Sequence, residues 1–157
     1  METSLREELD GLLSTYTAST PAARLRIIRR QLAWAASEPG TLRLITTVSA
    51  VEALARSLVV HASGRPSNTA QMRYRQFRHS GPVELVEEVL RLRGAAPAAR
   101  HFPGETWPLF ELASDCRDAV VHECAQLAPD RTAAAVQAAQ AVFEGLIELA
   151  GLPRAVV

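Results

Sequence analysis

Apolar residues recur at helical spacing along most of the chain, and nothing alternates with period two long enough to require a sheet. Ser4 and Glu7 resemble a capping box, and Leu5, Leu9, Leu12 and Leu13 follow as the apolar side of a first helix. Thr20-Pro21 sets a polar cap before a proline at the first helical position, predicting a second helix to about Glu38, ended by Pro39-Gly40. Thr41 is placed to cap a long third helix to about Ser63. Leu42, Ile45, Val48, Leu54 and Leu58 form its buried side and Gly64-Arg65-Pro66 closes it. The polar segment 67–79 reads either as a short helix or as an ordered loop. Ser80-Gly81-Pro82 opens a further helix, with Val83, Val86 and Leu90 opposed to Glu84, Glu87 and Glu88. Residues 94–104, rich in Ala, Pro and Gly, read as a loop. Thr106-Trp107-Pro108 starts a helix to about Leu127. Pro129-Asp130 starts the last one, where Ala133, Val136, Ala139, Val142, Phe143, Leu146 and Leu149 make one stripe up to Gly151. The expectation is an all-α protein: a single helical bundle of about five to six helices spanning 1–157.

Composition agrees with helices. Hydrophobic residues are 48% of the chain but aromatic ones only 5%, and Ala and Leu, which lose least on entering a helix, supply much of the remainder. All 17 basic residues are arginine. A GC-rich genome explains this without reference to function; a planar, bidentate cation for phosphate recognition is the functional explanation. The formal net charge is zero, so any attraction to nucleic acid must come from local patches. Cys116 and Cys124, eight residues apart on the expected helix, would stand roughly 12 Å apart along its axis, too far for a disulfide. They make no zinc spacing with His122, and both are read as small buried hydrophobes. The N-terminal residues carry acids and no apolar run, and no stretch approaches a membrane span, so a cytoplasmic protein is expected.

The chemistry concentrates in the run Leu109-Phe110-Glu111-Leu112-Ala113-Ser114-Asp115-Cys116-Arg117-Asp118-Ala119-Val120-Val121-His122-Glu123. Asp118 and His122, four apart, are neighbours on one helix face. Arg117 and His122 are five apart, about 140° round the helix, so only the long arginine stem would bring both to one phosphate. One chain thus offers half a cleft, and two such helices across a two-fold axis would offer two arginines and two histidines. Glu52 and Arg56, four apart, are expected to pair with each other or to brace this segment.

Arg117, Asp118 and His122, on the penultimate long helix of an all-α domain, resemble the Arg-x(4–6)-His signature of the HEPN family (higher eukaryotes and prokaryotes nucleotide-binding) of ribonucleases and toxins. The lead-in Trp107-Pro108-Leu109, the Ala-rich helix that follows, and the upstream run Val48-Ser49-Ala50-Val51-Glu52-Ala53-Leu54-Ala55-Arg56 also resemble that family. The resemblance is clearest over 41–150. One departure is Glu123, where many members have Gly. The resemblance implies RNA scission without a metal or cofactor, in which the RNA 2′-hydroxyl attacks the adjacent phosphorus. His122 would move the proton, Arg117 would stabilise the charge, and Asp118 would orient His122 or meet Arg117. It further implies a homodimer acting on RNA as a toxin or antiphage effector, with a cognate antitoxin or defence-system partner. The alternative is a catalytically silent HEPN module for binding or assembly, in which Arg117 pairs with Glu52 or Asp118.

Two other basic segments bear on RNA. Arg24, Arg26, Arg29 and Arg30 make a basic face on the second helix, either solvated or, through Arg26 and Arg30 especially, in contact with phosphate. Arg73-Tyr74-Arg75-Gln76-Phe77-Arg78-His79 interleaves cations with aromatics, a pattern that grips backbone with Arg73, Arg75 and Arg78, or anchors Tyr74 and Phe77 in the bundle. His61 and His101 stand alone and are read as structural or exposed. A helical DNA-binding regulator lacks a recognisable helix-turn-helix here.

Overall fold

Residues 40–60 carry apolar side chains on nearly every face, and a helix apolar all round has to be enclosed by others. In the computed structural model, which describes residues 2–62 and 66–154, that helix is the central element. The chain forms α1 (Glu2–Ala18), α2 (Pro21–Ala35), α3 (Gly40–Val60), α4 (Ala70–Phe77), α5 (Pro82–Leu92), α6 (Ala98–His101), α7 (Thr106–Glu123) and α8 (Pro129–Ala150). A 3₁₀ turn, Ser67–Thr69, precedes α4, and no strand occurs among the described residues. Around α3 pack α2, α4, α5, α7 and α8, and α7 lies in turn on α8. Leu44, Val48, Val51, Leu54, Ala55, Leu58, Val59 and Val60 of α3 are all buried.

The helices outnumber those expected because the open segment 67–79 forms α4 and the supposed loop 94–104 holds the short α6, whose Ala98 is buried. Thr20 caps α2, its hydroxyl accepting from the Ala23 N–H at 3.2 Å. At α5 the Glu84 carboxylate accepts from the Gly81 N–H at 2.6 Å, satisfying a donor the helix start leaves open. Other start signals fail. Ser4 lies inside α1, which begins at Glu2, and Thr41 lies inside α3, where Pro39 is the cap and no side chain closes it. The third helix ends at Val60; Ser63, Gly64 and Arg65, assigned to its end and closure, lie outside the described residues.

The apolar faces need correction too. Leu5 is 69% exposed, and Leu9 and Leu12 are exposed with it, so the apolar side of α1 is left uncovered at these positions. On α3 the inward residue at the start is Leu44, with Leu42 exposed and Ile45 half-buried. Ala133 of α8 is exposed, whereas Ala135, Ala138 and Ala139 are buried. Small residues there admit close neighbours. At Gly145 a Cβ would stand 2.6 Å from the Phe102 ring, so α8 accepts that ring only because no side chain is present.

Phe102 stacks on Trp107 with ring centroids 5.8 Å apart, and Trp107 meets Phe110 at 5.3 Å. This aromatic run fixes the start of α7 in the core, while its end extends beyond it. The helix stops at Glu123, short of the expected Leu127, as Cys124 turns into the left-handed region at φ 52°. Cys124 is therefore off the helix and exposed, and Cys116 is only half-buried, so neither is the buried hydrophobe expected.

Candidate functional site

Phe110, Ala113 and Ser114 cover the inward face of α7 and are buried. Arg117 continues that face seven residues after Phe110, which lays its stem under the helix and its head against α3. The side chain is 14% exposed. Its Nη2 donates to Glu52 Oε1 at 3.3 Å and to Asp118 Oδ1 at 3.1 Å, and its Nε donates to Asp118 Oδ1 at 3.3 Å. The other Glu52 oxygen, Oε2, stands 3.4 Å from Arg56 Nη2, one helical turn further along α3.

Arg56 is in turn fixed by backbone. Its Nε donates to the Phe77 carbonyl at 3.2 Å and its Nη2 to the Ser80 carbonyl at 3.0 Å, at the end of α4 and the entry to α5. Glu52 thus holds one arginine with each oxygen, as both pair and brace. Charge in this chain of four groups alternates in sign, Arg56, Glu52, Arg117, Asp118, and sums to zero. Arg117 keeps its Nη1 without a partner among the described residues, so one edge of the guanidinium still offers two N–H donors.

Asp118 faces Arg117 rather than His122: both of its hydrogen bonds run to the arginine. His122, in the last turn of α7, is exposed and makes no hydrogen bond or ion pair among the described residues. Val121, four residues after Arg117 on the same face, is 53% exposed, so the inner side of the helix end is open just where the arginine head lies. The outer face is acidic, with Glu111, Asp115, Asp118 and Glu123 all exposed.

The basic segments divide between structure and surface. Arg73 is 7% exposed; its Nε donates to the Val60 carbonyl at 2.5 Å and its Nη1 to the Pro66 carbonyl at 3.0 Å and to Thr69 Oγ1. That corrects its reading as an RNA contact: it ties the end of α3 to the start of α4. Arg75 and Arg78 are exposed, as are Arg26 and Arg30 of α2. Arg24 leaves the basic face and lies over the Tyr16 ring, 3.9 Å from its centroid. His61 holds α1 to the end of α3 through an Nε2–Thr17 carbonyl contact of 2.8 Å, and His101 packs edge-on against Phe102.

Among the described residues no group of three or more His, Cys, Asp or Glu is placed to hold a metal ion, and no helix is long and apolar enough to cross a membrane. No protein-family model, curated protein or solved structure matches the chain.

Proposed function

We propose that this chain is a HEPN-type endoribonuclease that cleaves RNA without a metal, at a site shared by two copies of itself. The observation that carries the reading is the end of α7. There an arginine held by Glu52 and Asp118 keeps Nη1 without a partner among the described residues, and an exposed, unpaired histidine lies five residues further on. Proton transfer and charge stabilisation at phosphorus need those two groups in those two conditions.

In the proposed reaction the 2′-oxygen attacks the adjacent phosphorus, and the P–O bond to the 5′-oxygen of the next nucleotide breaks. His122 takes the proton from the 2′-hydroxyl or, from the second protomer, supplies one to the leaving oxygen. Arg117 Nη1 meets the non-bridging oxygens as their charge rises. Glu52 and Asp118 are positioning residues that keep the guanidinium from rotating away. The nucleophile belongs to the substrate, so no metal-bound water is required.

A toxin or antiphage effector role, working in the cytoplasm against RNA and restrained by a cognate antitoxin or defence-system partner, forms part of the same proposal. A second reading, a catalytically silent HEPN module for binding or assembly, draws support from the charge balance. Glu52 and Asp118 neutralise Arg117, and the acids on the outer face of α7 repel a phosphate chain.

One experiment separates them. Purified protein is incubated with mixed RNA in the presence of EDTA, and the products are examined for 2′,3′-cyclic phosphate ends. Cleavage with those ends, lowered roughly 10²–10⁴-fold in His122→Ala and by a similar factor in Arg117→Ala, supports the nuclease. Cleavage abolished by EDTA, or none by wild-type protein on any RNA, overturns it. Induced wild-type chain should arrest growth of its host and His122→Ala should not.

A further inference from the structure

Arg24, Arg56, Ser57 and the two tyrosines of the chain meet in a recess that the proposed nuclease does not use. Its walls are Tyr16 from α1, Arg24 from α2, Arg56 and Ser57 from α3, His61 just beyond α3, and Tyr74 from α4. None of the described residues that line it is a carboxylate. The geometry points to a second binding site here, one that takes the phosphate of a phosphomonoester between Arg24, Arg56 and Ser57.

Three donors in the recess are left unspent by the fold. The Arg24 guanidinium rests on the Tyr16 ring and has no hydrogen bond or ion pair among the described residues. Burial pulls its pKa below the usual arginine value, and Arg56 nearby acts in the same direction, whereas the two tyrosines oppose it. Arg56 spends Nε and Nη2 on backbone carbonyls and Glu52, leaving Nη1 without a partner among the described residues. Ser57 Oγ is buried with no hydrogen-bond partner among the described residues. A buried hydroxyl in that state destabilises a fold unless something arrives to meet it. Arg56 is already paired with Glu52, which leaves Arg24 as the half-buried cation of the recess with no acid against it, and that cation favours an anion for the same electrostatic reason.

The shape selects among anions. The recess opens past Tyr16, Arg24 and Ala53 into a wider groove of about 440 Å³ between α2 and α3, walled by Ile27, Ile28 and Ile45 with Gln31, Thr46, Ser49 and Glu52 among them. The cationic end holds only about 30 Å³, so a phosphate enters it as the Arg24 side chain moves aside, and its several oxygens then serve several donors. The apolar groove receives the organic part esterified to it. The ligand class is therefore a phosphomonoester with a compact, largely apolar body. That group occurs both in small metabolites and at a 5′-phosphorylated RNA end.

The test uses the full chain in phosphate-free buffer, with calorimetric titration of inorganic phosphate, phenyl phosphate and a short RNA with or without a 5′-phosphate. Phenyl phosphate should bind more tightly than inorganic phosphate. Arg24→Gln should weaken it at least about tenfold with helical circular dichroism unchanged. Ser57→Ala gives the discriminating signature: it removes an unsatisfied buried hydroxyl, so the melting temperature holds or rises while phosphate affinity falls. Preference for the 5′-phosphorylated RNA over phenyl phosphate would name the RNA end as the source, and the reverse a small molecule. His122→Ala should bind inorganic and phenyl phosphate as wild type does, so the site stands or falls apart from the nuclease. No binding at millimolar phenyl phosphate, or equal binding by wild type and Arg24→Gln, would overturn it.

Discussion

Glu52 is the residue on which the site's geometry turns. It is one carboxylate serving two half-buried arginines from opposite sides, one oxygen each. Glu52→Gln keeps the shape but removes the charge that both guanidinium groups face, and an amide can accept from only one of them. The fold should lose about 1–3 kcal/mol, read from chemical denaturation. RNA cleavage should fall further than that loss explains, because Arg117 is no longer pinned. Asp118→Asn should be milder on both counts, as Asp118 is 51% exposed and its amide oxygen still accepts from Arg117. Equal effects of the two substitutions would show that Glu52 has no special hold on Arg117. Much at this scale was legible in the sequence: Glu52 as a brace follows from its spacing to Arg56 and the resemblance around it, and Asp118 had two readable partners. Arg73 was not legible. Between Met72 and Tyr74 it looks like any surface cation, and only the approach of the Val60 and Pro66 carbonyls, set by how α3 ends, explains its burial.

At the scale of elements, helix starts that combine a cap with a proline were readable, since Thr20-Pro21 and Gly81-Pro82 satisfy local constraints that need no tertiary partner. Helix ends and faces were read less well. The leucines of α1 have the right period, but period says only that a face is apolar; whether the same chain covers it depends on where α1 is carried by the turn before Pro21. The end of α7 is the informative failure. Nothing in Cys124 announces a stop, and a residue with a Cβ in the left-handed region costs about 1 kcal/mol relative to glycine. The helix ends there nonetheless, with the Ala125 N–H closing onto the Ala119 carbonyl at 3.2 Å, and His122 is thereby left in a final turn. Cys124→Gly should therefore stabilise the protein by roughly 1 kcal/mol without altering RNA cleavage, measured by thermal melting and by product yield. A loss of stability would mean that the Cys124 side chain makes contacts that outweigh its backbone strain.

For the molecule as a whole, zero net charge means that RNA, under the proposed function, would have to be drawn by patches, and Arg26, Arg30, Arg75 and Arg78 are among the exposed arginines that could form them. Replacing Arg75 and Arg78 with Ala should lower the salt dependence of RNA affinity by about one unit of slope for each phosphate no longer neutralised, whereas Arg73→Ala should chiefly lower stability. Under the proposed function, assembly is the stricter requirement. Arg117 and His122 point from neighbouring turns of one helix end, and Val121 between them leaves an apolar surface uncovered on the side where the arginine is held. A second copy related by a two-fold axis would cover Val121 with its own α7 end and set two Arg–His pairs around one groove. Val121→Glu, on an exposed residue, should leave the monomer folded, because the single chain does not bury that position. In the dimer it would place a carboxylate in the closed surface beside its symmetry mate, weakening association by about thirtyfold or more. Light scattering across a concentration series reads the dissociation, and cleavage should fall in parallel with the dimer fraction. A wild-type chain monomeric at every concentration and unchanged by RNA, or a Val121→Glu dimer as tight as wild type, would remove the α7 end as the meeting surface.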